Sequence, residues 1–450
     1  MALISRIRVS RFAALFLLAV IATALTAQTA GVAAAADPQN SAPVTLTLQD
    51  ALERARANSP QFRAALTELG VAREDRVQAR AGMLPAVNYT TQYLYTEGNH
   101  TPTGRFIANN AVHEYVAQGN AHQAINLGLG ELAEFRRAGA AEALARARAE
   151  IAARGLVVTV VESYYGLVVA ERKYASAQQA TNEAQRFLKI SQELERGGEV
   201  AHSDVIKAQL QFNDRARDLR EAQLAMAKAR VGLAVLLFAD FNQNFTVVDD
   251  LAQAKPLPGF LEVQQLAKKN NPDLRQAIAA LKVAGEEVNV ARSAHLPTLT
   301  LDYWYGIDAA HFATREPDGL RNLGYSASAT LTLPVFNWGA TQSKVKQAEL
   351  RRTQAQVELS AAQRQLVANL QNFYGEAEAA RAELDTLRNS AELAAESLRL
   401  TTLRYQAGDA SALEVVDAQN ALTQARNAYD DGEARYRLAL ANLQTLTGNF

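Results

Sequence analysis

The chain has 450 residues, 46 Lys and Arg against 47 Asp and Glu, and no cysteine. The near-even charge gives no basic bias toward nucleic acid, and the missing thiols exclude disulfide scaffolds, thiol chemistry, zinc–thiolate sites and a lipid-modified cysteine. Long windows rich in Ala, Gln, Glu and Arg and poor in Pro point to long, closely packed helices rather than an ordinary globule.

Residues 1–36 read as a secretory signal peptide. Arg6, Arg8 and Arg11 form a basic start, 12–25 is a short apolar core, and Ala34, Ala35 and Ala36 offer a small-residue cleavage site. Removing them leaves 43 basic against 47 acidic residues, a mildly acidic mature chain. No later stretch runs to 18 apolar residues, so no transmembrane helix is expected. A membrane crossing would then have to be made by β-strands closed into a barrel.

The mature chain repeats itself. Between 60 and 85, eleven residues recur 212 positions later: Pro60, Arg63, Ala65, Leu69, Val71, Ala72, Glu74, Ala79, Arg80, Leu84 and Pro85. Such self-similarity marks a duplication. The first copy is placed at 37–239, a linker at 240–259 and the second copy at 260–450.

In chain order, helical periodicity from 48 to 81, interrupted at Pro60, stops at Leu84 and Pro85. The period then falls to two, and strands are expected at about 86–97 and 112–128. Val87, Tyr89, Thr91, Tyr93 and Tyr95 share one face of the first; the second is less regular. Gly130 opens a helix reaching about Arg196, some 67 residues and so about 100 Å long. A turn at 196–204 precedes a return helix of about 35 residues. The second copy follows the same order, with strands at about 298–308 and 323–334, a helix of 340–407, a turn at 405–414 and a return helix. Its apolar strand faces hold Leu299, Leu301, Tyr303 and Tyr305, then Tyr325, Ala327, Ala329, Leu331 and Leu333. Four strands of about ten residues match a tilted outer-membrane span but cannot close a barrel, so membrane strands require further copies of the chain. A soluble sheet capping a helical bundle is the other reading.

The two turns are the most specific local signal. At an offset of 210, Gly198 matches Gly408, Asp204 matches Glu414, Val205 matches Val415, and Ala208 and Gln209 match Ala418 and Gln419. Each Gly suits the left-handed end of a helix, and Ser203 or Asp204 and Ser411 are candidate caps for the next one.

The repeated helix–strand–strand–helix–helix order, the phrase LTLPVFNWG at 331–339 and the tip pattern Tyr-x-x-Gly-x-x-Ser-x-x-Glu-Val resemble the TolC-like family of bacterial outer-membrane efflux proteins over essentially the whole mature chain. The resemblance implies a mainly α fold with a membrane β-barrel: a homotrimer with a twelve-stranded barrel in the outer membrane of a Gram-negative envelope and a twelve-helix tunnel through the periplasm. It implies an exit duct for efflux or type I secretion, with no cofactor. The partners it implies are outer-membrane lipid, a periplasmic adaptor (membrane fusion protein) and an inner-membrane pump of RND, ABC or MFS type, with iris-like opening at the tips.

Residue by residue, the family's acidic ring falls on Glu414 and Asp417, where repulsion across a threefold axis would raise both carboxyls. Its tip latch falls on Tyr405 and Asp204. Adaptor docking falls on Gly198, Glu199, Val200, Ala201 and Ser203, and on Gly408, Asp409, Ala410 and Ser411. Ala410 stands where the best-known member has a latch Arg, so that contact is missing or replaced. Ile125 stands where the second copy has Pro334, and Leu129 where it has Trp338. Because Tyr405, Glu414 and Asp417 lie in the second copy, its hairpin is the expected moving gate. Glu414 and Asp417 equally suit solvated acids at a helix start.

Six histidines form no HExxH or other spaced metal pattern, and no nucleophile or paired-carboxylate motif stands out, so no enzyme and no metal site are expected. His113 and His122 read as surface imidazoles. His202, in the first tip, is either a solvated turn residue or an adjuster of docking. The alternative function is a periplasmic coiled-coil adaptor, which would show one hairpin between β-rich flanks.

Overall fold

The computed structural model describes residues 44–96, 112–240, 243–253 and 255–448. The expected signal peptide, the loop between the first two strands and the last two residues of the chain lie outside them. The chain divides into a small unit, 1–44 with 242–246, and a large one, 45–241 with 247–450. Apart from Val44 in the first short strand and Phe245 and Thr246 in the fourth, the elements described belong to the large unit.

In order the elements are β1 (Val44–Leu46), α1 (Leu48–Asn58), α2 (Pro60–Ala81), β2 (Ala86–Tyr95), β3 (His113–Asn126), α3 (Gly130–Gly197), α4 (His202–Leu237), β4 (Phe245–Val247), α5 (Phe260–Asn270), α6 (Pro272–Ser293), β5 (Thr298–Ala309), β6 (Leu323–Thr332), α7 (Ala340–Gln406) and α8 (Ala412–Thr447). The duplication is kept at the level of caps. Ser59 caps α2 and Asn271 caps α6, each accepting from the backbone N–H three residues on, with Pro60 and Pro272 at the first helical position. Both helices have 22 residues, and both return helices have 36.

The four long strands form one antiparallel sheet in the order β2-β3-β5-β6. Its register settles the faces. Val87 pairs with Ala121, Ala121 with Tyr303, and Tyr303 with Ala327; Tyr89, Gly119, Tyr305 and Tyr325 form another row. The alternating residues picked out in the sequence, from Val87 and Tyr89 to Tyr303, Tyr305, Tyr325 and Ala327, therefore share one face, while Leu94, Val116 and Trp304 fall on the other. That face is open: Val87 is 78% and Tyr325 75% exposed. Gly306 sits where β3 and β5 press together; a Cβ there would lie 2.3 Å from the Ala117 carbonyl oxygen, so no other residue fits.

The sheet gives way to the helices through sharp corners. Leu129 and Trp338, at equivalent places in the two copies, both take left-handed backbone, with φ of 56° and 55°. Non-glycine residues rarely do so. Gly128 and Gly130 are needed at the first corner because a side chain would meet Leu296 and Ser293 at 2.7 Å.

Within α3, the most apolar 18-residue window reaches a mean hydropathy of 1.3, enough by composition alone for a membrane span, and 44% of it is buried inside the protein. Its Val157, Val160, Tyr164, Leu167 and Val168 are core residues. Tyr164 donates its hydroxyl to the carbonyls of Val248 (2.7 Å) and Leu46 (3.1 Å), and burial pushes it up to about 12. The linker between the copies is bound down rather than free. Arg172 of α3 grips Asp249 of the linker at 2.5 and 2.8 Å, and also Asp430 (3.0 Å) and Glu433 (2.6 Å) of α8. Burial works against that guanidinium's charge, but the three carboxylates outweigh it and hold the group above its ordinary value. Asp430 is pushed upward by burial, against the pull of Arg172.

Candidate functional site

The two hairpin turns, α3–α4 and α7–α8, carry the residues singled out above. Gly198 and Gly408 both adopt left-handed backbone, at φ of 78° and 83°. Glu199 N donates to Leu194 O and Asp409 N to Arg404 O, closing the last turn of each long helix. Glu199, Ala201, Ser203, Asp409 and Ser411 are exposed, and Val200 and Ala410 half-buried.

The tips differ in how the return helix begins. In the second, Ser411 Oγ accepts from Glu414 N while Glu414 Oε1 accepts from Ser411 N at 3.0 Å, a reciprocal capping box. In the first, the cap residue is Ala201, and no side chain closes the helix. Neither Ser203 nor Asp204 caps, contrary to the sequence expectation: α4 starts at His202, so the cap position is Ala201 and both residues already lie inside the first turn. Asp204 instead accepts from Lys207 at 3.2 Å. His202 Nδ1 lies 2.6 Å from Glu195 Oε1, bridging the turn from the side.

Glu414 is held by more than its cap. Arg404, at the end of α7, donates to the Asp409 carbonyl at 2.9 Å and stands 3.5 Å from Glu414 Oε2. The bonds from Ser411, then the charge of Arg404, lower the Glu414 carboxyl from its ordinary value. These contacts within one chain favour the anion, whereas the rise expected from repulsion across a threefold axis involves other chains. Asp417 is exposed one turn further on.

Tyr405 and Asp204 are not brought together. Tyr405 is 2% exposed; its hydroxyl meets Ser191 Oγ of α3 at 3.1 Å and its ring tilts against Phe187 at 5.0 Å. Around it Val205, Leu398, Ala412, Val415 and Leu422 form one apolar cluster that joins both hairpins. Next to it a cleft of about 520 Å³ is lined by Phe187, Ile190, Leu398, Thr402, Val415 and Arg426. Sequence reasoning missed Ser191 and Arg404: each acts through a partner on another turn or helix, and no spacing announces it.

With this geometry in view, known proteins supply the frame. The family model for "Outer membrane efflux protein" matches residues 51–237 and 263–449, one match per copy. The alkaline protease secretion protein AprF of Pseudomonas aeruginosa is 24% identical over 416 residues, covering 90% of this chain and 84% of that protein. The outer membrane protein TolC of Vibrio cholerae is 23% identical, covering 93% and 94%. The crystal structure of the outer membrane protein VceC of Vibrio cholerae superposes with a TM-score of 0.75 at 18% identity, covering 90% of this chain and 96% of that one. The fold is that of outer-membrane channels, a long helical portion continued by barrel strands, and the outer membrane is where this chain belongs. Two equivalent matches covering most of the sequence leave no place for the single-hairpin adaptor reading: the chain belongs to the outer membrane efflux protein family.

Proposed function

We propose that three copies of this chain close into a passive exit duct through the outer membrane, and that the duct works with a periplasmic adaptor and an inner-membrane pump. The observation that carries this reading is the sheet. Its edge strands, β2 and β6, have no neighbour on their outer sides among the described residues, and its apolar face is uncovered. An open edge is not tolerated in lipid. Strand order makes β2 and β6 antiparallel to one another, so β6 of one copy can accept β2 of the next, and three copies give twelve strands with no edge left. The aromatic face then meets lipid and the polar face lines the lumen. The long helices, about 100 Å each, continue the passage toward the tips.

At the tips, Gly198 to Ala201 with Ser203, and Gly408 to Ser411, are the exposed turns an adaptor would grip. Glu414 and Asp417 form the acidic mouth, and the hairpin that carries them moves about Tyr405, which is seated on Ser191 rather than on Asp204. In this reading Arg404 holds Glu414 in the absent latch arginine's stead. One relative is named for alkaline protease secretion and the family for efflux, and in this reading the pump of each system sets what is carried.

The chain's lack of cysteine makes the test clean. Thr90→Cys on β2 with Ser328→Cys on β6, oxidised in outer-membrane preparations, should yield covalent dimers and trimers, while either cysteine alone should not. A monomer under oxidation, with the protein recovered from the soluble periplasm, would reject the duct.

A further inference from the structure

The polar face of the sheet has an unusual charge content. Across β2, β3, β5 and β6 there is no Lys or Arg at all. The acids are Glu114, Asp302 and Asp308, and by alternation all three fall on the face opposite the tyrosines. The only base on that face is His122. Its Nδ1 lies 2.7 Å from Asp302 Oδ1, directly across the β3–β5 register, and the Asn120 amide stands 3.5 Å from the same oxygen.

The surroundings of this pair are neutral. Its own row across the sheet is Ala86, His122, Asp302 and Ser328. The next row toward the loops is Asn88, Asn120, Trp304 and Ser326, and the next toward the helices is Ala124, Thr300 and Thr330. Asp308 is six residues along β5, about 20 Å away, and Glu114 eight residues along β3, about 27 Å away, at strand spacing. Both lie well beyond the ~8 Å screening length of physiological salt. On the helix side Glu131 meets the sheet end, where it accepts from Asn126 N. His113 is on the tyrosine face, bound to Tyr93 at 2.8 Å, and does not face the pair.

We propose that His122 and Asp302 form a pH-responsive selectivity ring in the barrel lumen, resting on the trimeric duct described above. Threefold symmetry places three such pairs at one height. Histidine is the side chain that exchanges its proton between about pH 5 and 8. With His122 neutral, each pair carries the full negative charge of Asp302, and the ring favours cations. With His122 protonated, each pair is neutral and that preference fades. The lumen is thereby more open to anionic solutes in acid surroundings and more cation-preferring in alkaline ones.

The test is the reversal potential of the purified channel in planar bilayers under a KCl gradient, at pH 8 and pH 5.5. The Glu414→Ala/Asp417→Ala background removes the tip acids from the reading. The potassium-to-chloride permeability ratio should fall ~2-fold or more on acidification, the scale set by a potential of about one kT in a narrow passage. His122→Gln should hold the alkaline value at both pH values, and Asp302→Asn should lower the ratio at pH 8. A pH response that survives in His122→Gln, or an unchanged ratio in Asp302→Asn, overturns the ring. Protein that forms no channel at all overturns the trimeric duct, and is distinguishable from either result.

Discussion

The two tips descend from one ancestral hairpin and share a left-handed glycine, yet they are fastened differently. The second is closed from within: Ser411 and Glu414 cap each other, Arg404 ties the turn carbonyl and the carboxylate together, and Tyr405 anchors the base of the turn in the apolar cluster. The first has Ala201 where a capping side chain would stand, and its cross-turn contact is the lateral His202–Glu195 pair. A turn without a cap opens at lower cost than one with it. The copy that carries the proposed acidic mouth is thus the more firmly built at its turn, and movement of that hairpin would pivot below the turn, around Tyr405.

The largest expected effect lies at that pivot. Tyr405→Ala should destabilise the joined hairpins by about 3–5 kcal/mol, as for other large buried aromatic truncations, while Tyr405→Phe should cost only about 1 kcal/mol for the lost Ser191 contact. Thermal unfolding of the detergent-extracted protein checks both. Equal losses from the two variants would show that the hydrogen bond, not the ring, does the anchoring. A step smaller, Ser411→Ala should cost about 1 kcal/mol, and Ala201→Ser should recover a similar amount in the first tip by giving Asp204 a capping partner three residues upstream. Amide exchange at the first turns of α4 and α8 reads these two changes separately, and the comparison fails if the first tip gains nothing.

Acid should also separate the tips. Glu414 is lowered in the folded chain, so its contribution is present above the ordinary carboxyl value of 4.5 and is lost as the pH falls through the folded value. Exchange at the start of α8 should accelerate over that range, and Ser411→Ala, which keeps the backbone N–H of residue 411 and the Arg404 charge, should weaken the dependence without removing it. The smallest effect is that of Arg404→Ala, an exposed partner whose loss should speed exchange at Asp409 and Glu414 only slightly.

Much of this was legible before any coordinates. Alternation placed Val87, Tyr303 and Ala327 on one face, and the register agrees because a one-residue slip would have turned every aromatic to the other side. The interruption of helical periodicity at Pro60 is where Ser59 caps a second helix with Pro60 at its first position. The tip contacts were not legible. Whether Ser203 or Ala201 stands at the cap of α4 depends on a two-residue choice of helix start that propensity does not decide. Tyr405 meets Ser191 across 214 residues, and Arg172 gathers carboxylates from the linker and from α8, pairings that only the folded backbone creates. His122 read as a surface imidazole until the register put Asp302 opposite it. The expected rise at Glu414 was reasoned from a ring of chains, whereas the contacts within one chain push the other way.

The most direct test of the central claim is the state of the protein in the outer-membrane fraction, run on gels unheated and heated. A band at three times the chain mass that collapses to the monomer only on boiling is the predicted result. A monomer in both lanes, or recovery in the soluble periplasmic extract, would contradict it.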